Sequence, residues 1–209
     1  MGHQIGKNVV ISPNFVINCG WFRIDDGTML LGFNIIRNLS HFEVGHDSII
    51  GRVNMFTAAP EFQQFSDWVG WFRMGAYGTI TSRHYLDCSG QILIGYHAGI
   101  AGLRCILQSH TIDLINDVNT VGKIVFDDYS AVMTRCLVLK DAYLPTRSIL
   151  AAGSLLLPSN DDEELPSGMY AGSPAKKVRD LPYMKWYDRN DVLGEQKPFD
   201  DSMFKLDPM

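Results

Sequence analysis

The chain has 209 residues, 46% of them hydrophobic, enough to bury a sizeable core as one domain, so it is neither a tail nor a linker. Eighteen basic against 23 acidic residues give a net charge of −5, and no Lys/Arg-rich cluster occurs, which argues against nucleic acid as a partner and for small molecules. No apolar run approaches membrane-spanning length, no charged-then-apolar leader or myristoylation site opens the chain, and Cys19, Cys88, Cys105 and Cys136 form no CxxC pair, so a cytoplasmic protein with core-packed thiols is expected.

An aliphatic residue returns every sixth position almost from the start, at Ile5, Ile11 and Ile17. The beat shifts by one to Ile24, Leu30, Ile36 and Phe42, and again to Val44 and Ile50. A helix wants apolar residues three and four apart and a flat strand wants them two apart. A period of six fits a prism-shaped β-solenoid, each hexad supplying one short strand and its corner. Asn18, Asp25, Asp26, Asn34 and Asn38 fall between the apolar positions, as solvated corners require. Over residues 57–78 the beat breaks. Phe62, Phe65, Val69 and Phe72 recur there at helical spacing behind Pro60, which predicts a short amphipathic helix ended by Gly75 and Gly78, the chain rejoining the prism at Ile80. Its apolar face packs on the prism wall, or Trp68, Trp71 and Phe72 wall an acceptor or acyl pocket; the two readings are compatible.

ITSRHY and LDCSGQ restore the repeat, which slips by two residues between Ile92 and Ile94 and then runs regularly as IGYHAG, IAGLRC and ILQSHT. After a second slip it continues from Phe126 as FDDYSA, VMTRCL, VLKDAY, LPTRSI and LAAGSL. The fifth place of these eight blocks holds Ala98, Arg104, His110, Ser130, Cys136, Ala142, Ser148 and Ser154. Only Arg104 and His110 are bulky, and places where a local rule fails are where function is expected. His84 also takes the fifth place of its block. Four hexads separate it from His110, so the two do not stack; they line neighbouring faces around one edge or lie too far apart to cooperate. His97, His3, His41 and His46 read as surface residues. Residues 111–124 are polar and irregular, a loop beside His110 of the kind in which binding residues collect. After Leu156 an acidic, proline-bounded loop ends the prism. The solenoid is thus expected over 1–157. Residues 158–209 supply the acidic loop, a short helix over 175–181 capped by Ser173 and Pro174, and a C-terminal tail with no sustained period.

The hexads together with QSHTID, AAGSLLLPS and YAGSPAKKVRDL resemble the hexapeptide-repeat acyltransferases, a family that includes sugar O-acetyltransferases and xenobiotic acetyltransferases. The resemblance spans roughly residues 80–181. It implies an all-β, left-handed parallel β-helix, a homotrimer, acetyl-CoA in the groove between adjacent prisms, no metal, and a histidine acting as general base. His110 matches that histidine. A hydroxyl or amine attacking a thioester must lose a proton, and an imidazole titrating near neutrality can take it. Asp113 is the nearest sequence candidate to hold the imidazole tautomer, with a backbone carbonyl equally able. The family pattern lays the pantetheine arm along Ala131, Ala152, Gly153 and Ser154, and brings the phosphates to a helix start with Lys176, Lys177 and Arg179. His84, Arg104, Trp68 and Trp71 are the candidates for touching the acceptor. FDDYSAVMT stands where the family more usually has IGDNVWIG. The expected function is acyl-CoA-dependent O- or N-acylation of a sugar or another small hydroxylated or amino acceptor. One alternative is a zinc lyase of the γ-carbonic anhydrase kind, which needs three imidazoles on one metal and an HxxxxH pair that is missing after His110. Another is a non-catalytic binding solenoid, whose fifth positions would be uniformly small.

Overall fold

The hexad places one large residue inward per strand, and in the computed structural model these residues stack into three parallel sheets. Residues 3–159, 165–188, 190 and 197–198 are described; residues 160–164 of the acidic loop, and 191–196 and 199–209 of the tail, lie outside them. Successive strands in sequence fall in successive sheets, so the chain winds through a first face of seven strands, a second of nine and a third of seven. Within the coils, strands of one face pair in parallel with those one coil before and after.

The inward residues form continuous columns. The first face buries Phe42, Phe72, Ile92 and Ile124, the second Leu30, Ile50, Ile80, Ile100, Val132 and Leu150, and the third Ile36, Phe56, Leu86, Leu107 and Val138. Phe42 stacks between Phe22 and Phe72 at centroid distances of 5.2 and 5.1 Å. Each such side chain contributes about 1.5–3 kcal/mol on burial, so the column and not any single contact holds the coil.

The slips in the six-residue beat have a geometric origin. First-face strands such as Gln91–Ile94 are four residues long and turn two side chains inward, here Ile92 and Ile94. A coil containing such a strand takes twenty residues, as from Ile24 to Val44, whereas the regular coil from Phe126 to Leu144 takes eighteen.

Two expected helices are replaced by other structure. Over 57–78 only Pro60–Gln64 is helical, a single 3-10 turn with no buried residue, and Phe65 is 81% exposed. Phe72 belongs to the strand Trp71–Met74, which pairs with His41–Val44 on one side and Gln91–Ile94 on the other. The chain therefore rejoins the prism at Trp71, nine residues before Ile80. The helical spacing of Phe62, Phe65, Val69 and Phe72 was coincident with a strand's alternation, and sheet pairing on both sides outweighs local periodicity. At the C-terminal end, Ala175–Arg179 is a strand antiparallel to Met169–Gly172, joined to it through Ser173 and Pro174. Met169–Gly172 adds in parallel to Ile149–Leu150, so the second face continues past residue 157. Its open edge offers unpaired N–H and C=O groups to the segment that follows, and a two-residue connection suits a hairpin, so Ser173 and Pro174 turn a hairpin and cap no helix. The loop expected over 111–124 is likewise ordered: His110–Asp113 and Val118–Val121 form an antiparallel hairpin.

Candidate active site

Departures from the regular coil collect on the edge between the third and first faces. Residues 58–70 bulge out there, between Met55–Thr57 and Trp71–Met74; residues 88–90 turn the same corner one coil on; the hairpin beginning at His110 projects from the next. Coils are thirty residues apart across the bulge (Val44 to Met74) and thirty-two across the hairpin (Ile94 to Phe126). Gly90 lets the last two corners approach closely, because a Cβ on it would collide with the Gly122 carbonyl.

Asp87, at the end of the third-face strand Tyr85–Asp87, organises this corner. Its side chain is 4% exposed, and a buried carboxylate is costly unless hydrogen-bonded throughout. Its Oδ1 accepts the Ser89 N–H at 3.1 Å and the Ser89 hydroxyl at 2.5 Å. Its Oδ2 accepts the backbone N–H groups of Ser109 (3.1 Å) and His110 (3.2 Å), and also the His110 Nδ1–H. The last contact fixes the imidazole's tautomer: the proton sits on Nδ1, and Nε2 keeps its lone pair. No hydrogen bond among the described residues engages Nε2, and the side chain is 37% exposed. The arrangement is a carboxylate-oriented imidazole whose free nitrogen is open to a proton donor.

The bulge is tied to the same corner. The Ala59 N–H donates to Ser89 Oγ at 2.9 Å, and the Phe62 ring lies 6.1 Å from that of His110. Trp68, 67% exposed, packs on Trp71 at 5.1 Å, and His41 stacks on Trp71 at 4.3 Å. Both tryptophans thus lie on the histidine's side of the prism, though the ring beside His110 is Phe62.

Asp113 does not orient His110. It sits at the hairpin turn, where its carboxylate accepts the N–H groups of Ile115 and Asn116 and the Asn116 amide, and these donors hold its pKa below the usual carboxylate value. Asp87, one coil below, has that place. The signal available in sequence was a carboxylate one coil back from the histidine, in an Asp-x-Ser turn.

His84 lies on another edge, between the second and third faces, and is buried. Its Nδ1 accepts the Cys105 N–H at 3.1 Å, so Nε2 carries the proton and donates to Thr81 Oγ1 at 2.9 Å. It continues an internal ladder in which Asn14, Asn34 and Asn54 each cap the backbone N–H one coil on, at 2.8–2.9 Å. Burial pushes its pKa down to about 4. The folded state therefore disfavours the proton that the unfolded chain takes up below about pH 6.5. Stability should be unaffected above that pH and fall by about 3 kcal/mol as pH drops from about 6.5 to 4. Urea unfolding of wild type and His84→Gln across that range checks this, the variant lacking this part of the pH slope. His97 is buried too, stacked between Tyr77 and Tyr129 at 4.7 and 5.4 Å. A large residue at a corner packs on its neighbours one coil away, which is why it is not on the surface.

The residues expected along the cofactor lie away from His110 within one chain. Ala152 and Gly153 are exposed on the second–third edge, beyond Arg104, and the buried Ser154 accepts the Gly172 N–H at 3.2 Å. Ala131 is buried in the second face. Lys176, Lys177 and Arg179 project from the last strand; Lys177 pairs with Asp180 at 2.6 Å. Lys176 and Lys177 border a cavity of about 380 Å³ walled by Tyr143, Leu156, Leu165 and Tyr170. Among the described residues no three His, Cys, Asp or Glu side chains converge to hold a metal ion, and no helix is long and apolar enough to cross a membrane.

No protein-family model matches the chain, and no curated protein matches it in sequence. Solved structures do match in fold. The chain is similar to a variant of AntD, an N-acyltransferase from Bacillus cereus in complex with dTDP-4-amino-4,6-dideoxyglucose and coenzyme A, with a TM-score of 0.56 at 16% identity over 86% of this chain and 84% of that one. Another AntD variant, in complex with dTDP and coenzyme A, gives 0.54 at the same identity and coverage. A hexapeptide-repeat-containing acetyltransferase from Vibrio cholerae O1 biovar eltor, complexed with acetyl coenzyme A, gives 0.52 at 19% identity over 69% of this chain and 73% of that one. At these identities the likeness is one of fold: this chain has the hexapeptide-repeat β-solenoid.

Proposed function

We propose that the protein is an acyl-CoA-dependent acyltransferase, with acetyl-CoA as donor and a sugar or similar small molecule as O- or N-acceptor, working in the cytoplasm as a homotrimer of left-handed coils. The observation that carries this reading is His110, held through Nδ1 by the buried Asp87 with Nε2 open. In the proposed reaction Nε2 takes the proton from the acceptor's hydroxyl or amine as it attacks the thioester carbonyl. Asp87 stabilises the imidazolium that forms, and the imidazolium returns the proton to the leaving thiolate. Backbone N–H groups at the solenoid corners are the available donors to the oxyanion. The fold shared with coenzyme A-bound acyltransferases supports the choice of donor.

The trimer has its own support. The third face carries an outward column of Phe15, Ile35, Met55, Tyr85, Ile106, Leu137 and Leu155 in continuous register. A stripe of that length is more than a monomer usually exposes. The face is bounded on one side by the edge with His110 and on the other by the edge with Ala152 and Gly153. Three copies turning it toward a common axis would set His110 of each beside the small-residue edge of the next. That joins the two halves of the site, which one chain keeps apart. Incubation with acetyl-CoA and a panel of amino and hydroxy sugars, following free thiol, tests the activity: acceptor-dependent release is expected, and the reading fails if no acyl-CoA is cleaved with any acceptor while the protein is folded.

A further inference from the structure

The second–third edge carries a feature that the proposed reaction leaves unused. Register stacks residues 53, 83, 104, 135 and 153 there, since Met55, Tyr85, Ile106, Leu137 and Leu155 pair in turn. Three consecutive rungs are arginine. Arg83, Arg104 and Arg135 are all exposed and all have left-handed backbone, with φ of 64°, 60° and 57°. Coils stack at the strand spacing of about 4.8 Å, so the ladder spans about 10 Å.

Turn chemistry does not account for it. Left-handed positions elsewhere hold Asn and Asp at Asn8, Asn18, Asn38, Asp47, Asp117 and Asp141, and bulky residues at Phe33, Val53, Tyr77, His97, Tyr129 and Arg147, so this backbone does not itself call for arginine. Three like charges in a row repel one another. Among the described residues no carboxylate lies within 4 Å of any of the three guanidiniums, whereas Arg23, Arg73, Lys140 and Lys177 each have one. Between Arg83 and Arg104 opens a shallow hollow of about 340 Å³, floored by Val53, Met55, Tyr85, Cys105 and Ile106. In the proposed trimer the Met55, Tyr85 and Ile106 side chains of this floor face a neighbouring copy, so what stays open to a ligand is the rim, whose guanidiniums suit carboxylate or phosphate. Arg104 also takes the fifth place of the hexad before that of His110, so the two stand in the same coil, whereas Gly153 and Lys176 lie further toward the C-terminal end.

We propose that Arg83, Arg104 and Arg135 form an anion-binding ladder for an acidic acceptor, a sugar bearing a row of carboxylate or phosphate groups. This rests on the acyltransferase reading for the word acceptor but not for the binding. The acceptor occupies the Arg83 and Arg104 side of the edge, and coenzyme A approaches from the Gly153 side.

The test is direct binding without turnover, by calorimetry, to the wild-type protein and to the double variant Arg83→Gln/Arg104→Gln. The probes are trigalacturonate, dTDP, the neutral cellotriose, and coenzyme A. The wild type should bind trigalacturonate or dTDP more tightly than cellotriose, with affinity falling as salt rises. Preference for trigalacturonate identifies an acidic glycan, and preference for dTDP a nucleotide-linked sugar. The double variant should lose about 10²-fold for the favoured probe, the effect of removing two charge-assisted contacts, at unchanged coenzyme A affinity and unchanged mass by light scattering. The proposal is overturned if neither acidic probe outbinds cellotriose. It is also overturned if the variant loses coenzyme A affinity equally, which makes the ladder a cofactor phosphate site, or if its mass falls, which makes it a contact between copies. Binding that behaves as expected in a protein that never cleaves acyl-CoA would sink the acyltransferase reading and leave the ladder standing.

Discussion

Replacing His110 with alanine should lower kcat/KM for acyl transfer by roughly 10²–10⁴-fold, the span of a lost general base, without changing assembly or coenzyme A affinity. The side chain is part-exposed and makes one side-chain hydrogen bond, so little of the fold depends on it. Asp87→Asn should separate orientation from packing. The amide nearly matches the carboxylate in volume, but it cannot accept from Ser89, Ser109 and His110 at once without turning its NH₂ toward other donors. The variant should lose activity through the wrong imidazole tautomer and also melt at a lower temperature, because a buried donor left unpaired costs about 1–3 kcal/mol. Steady-state rates beside thermal melts check both. An Asp87→Asn enzyme with wild-type rates would remove the Asp87–His110 pair from the mechanism.

The second large effect is expected at Ile106, midway along the apolar column of the third face, with Tyr85 one coil below and Leu137 one coil above. Its side chain points away from the core, so Ile106→Glu should leave the coil folded, as circular dichroism would show. A glutamate carboxylate placed between copies must give up its water in a seam of apolar side chains, even with Arg104 on the adjoining edge, a penalty of several kcal/mol that a threefold assembly incurs at every interface. Light scattering should give the monomer mass, and acyl transfer should fall below detection although His110 and Asp87 are intact. Wild-type mass with undiminished activity would mean that this face is not where copies meet.

The solenoid was legible in the sequence because its inward column is built from one large residue per hexad, and that spacing belongs to neither helix nor flat strand. The two misread helices share a cause. Phe72 and Ala175 sit in short segments whose local pattern is ambiguous: Phe72 is decided by a strand twenty residues on, and Ala175 by the adjacent Met169–Gly172, itself held by Ile149–Leu150 twenty residues earlier, and a window of local spacing contains neither long-range partner. His110 was legible because a bulky residue stood where the corner takes small ones. Asp87 was not, because its role comes from stacking: the residue that orients the histidine lies twenty-three positions earlier and one coil below, while the nearer Asp113 is spent on its own turn. His84 broke the same small-residue rule as His110 but lies buried, since an imidazole can also continue the Asn14, Asn34 and Asn54 ladder by accepting a backbone N–H. Bulk at a corner marks an exception without saying which kind. The arginine ladder became visible only once register had stacked residues 83, 104 and 135.

The most direct measurement of a site shared between copies is complementation between two inactive variants. His110→Ala lacks the base, and Ala152→Trp blocks the exposed small-residue edge where the cofactor arm is proposed to lie. Each alone should be inactive as a trimer. Unfolded together at equal amounts and refolded, they should form mixed trimers in which some sites join an intact His110 from one copy to an intact Ala152 edge from the next. Random assembly about a threefold axis makes that about a quarter of all sites, so the mixture should recover about a quarter of wild-type transfer. A mixture as inactive as its two components, with mixed trimers demonstrated by mass, would contradict a site built from His110 of one copy and the second–third edge of its neighbour.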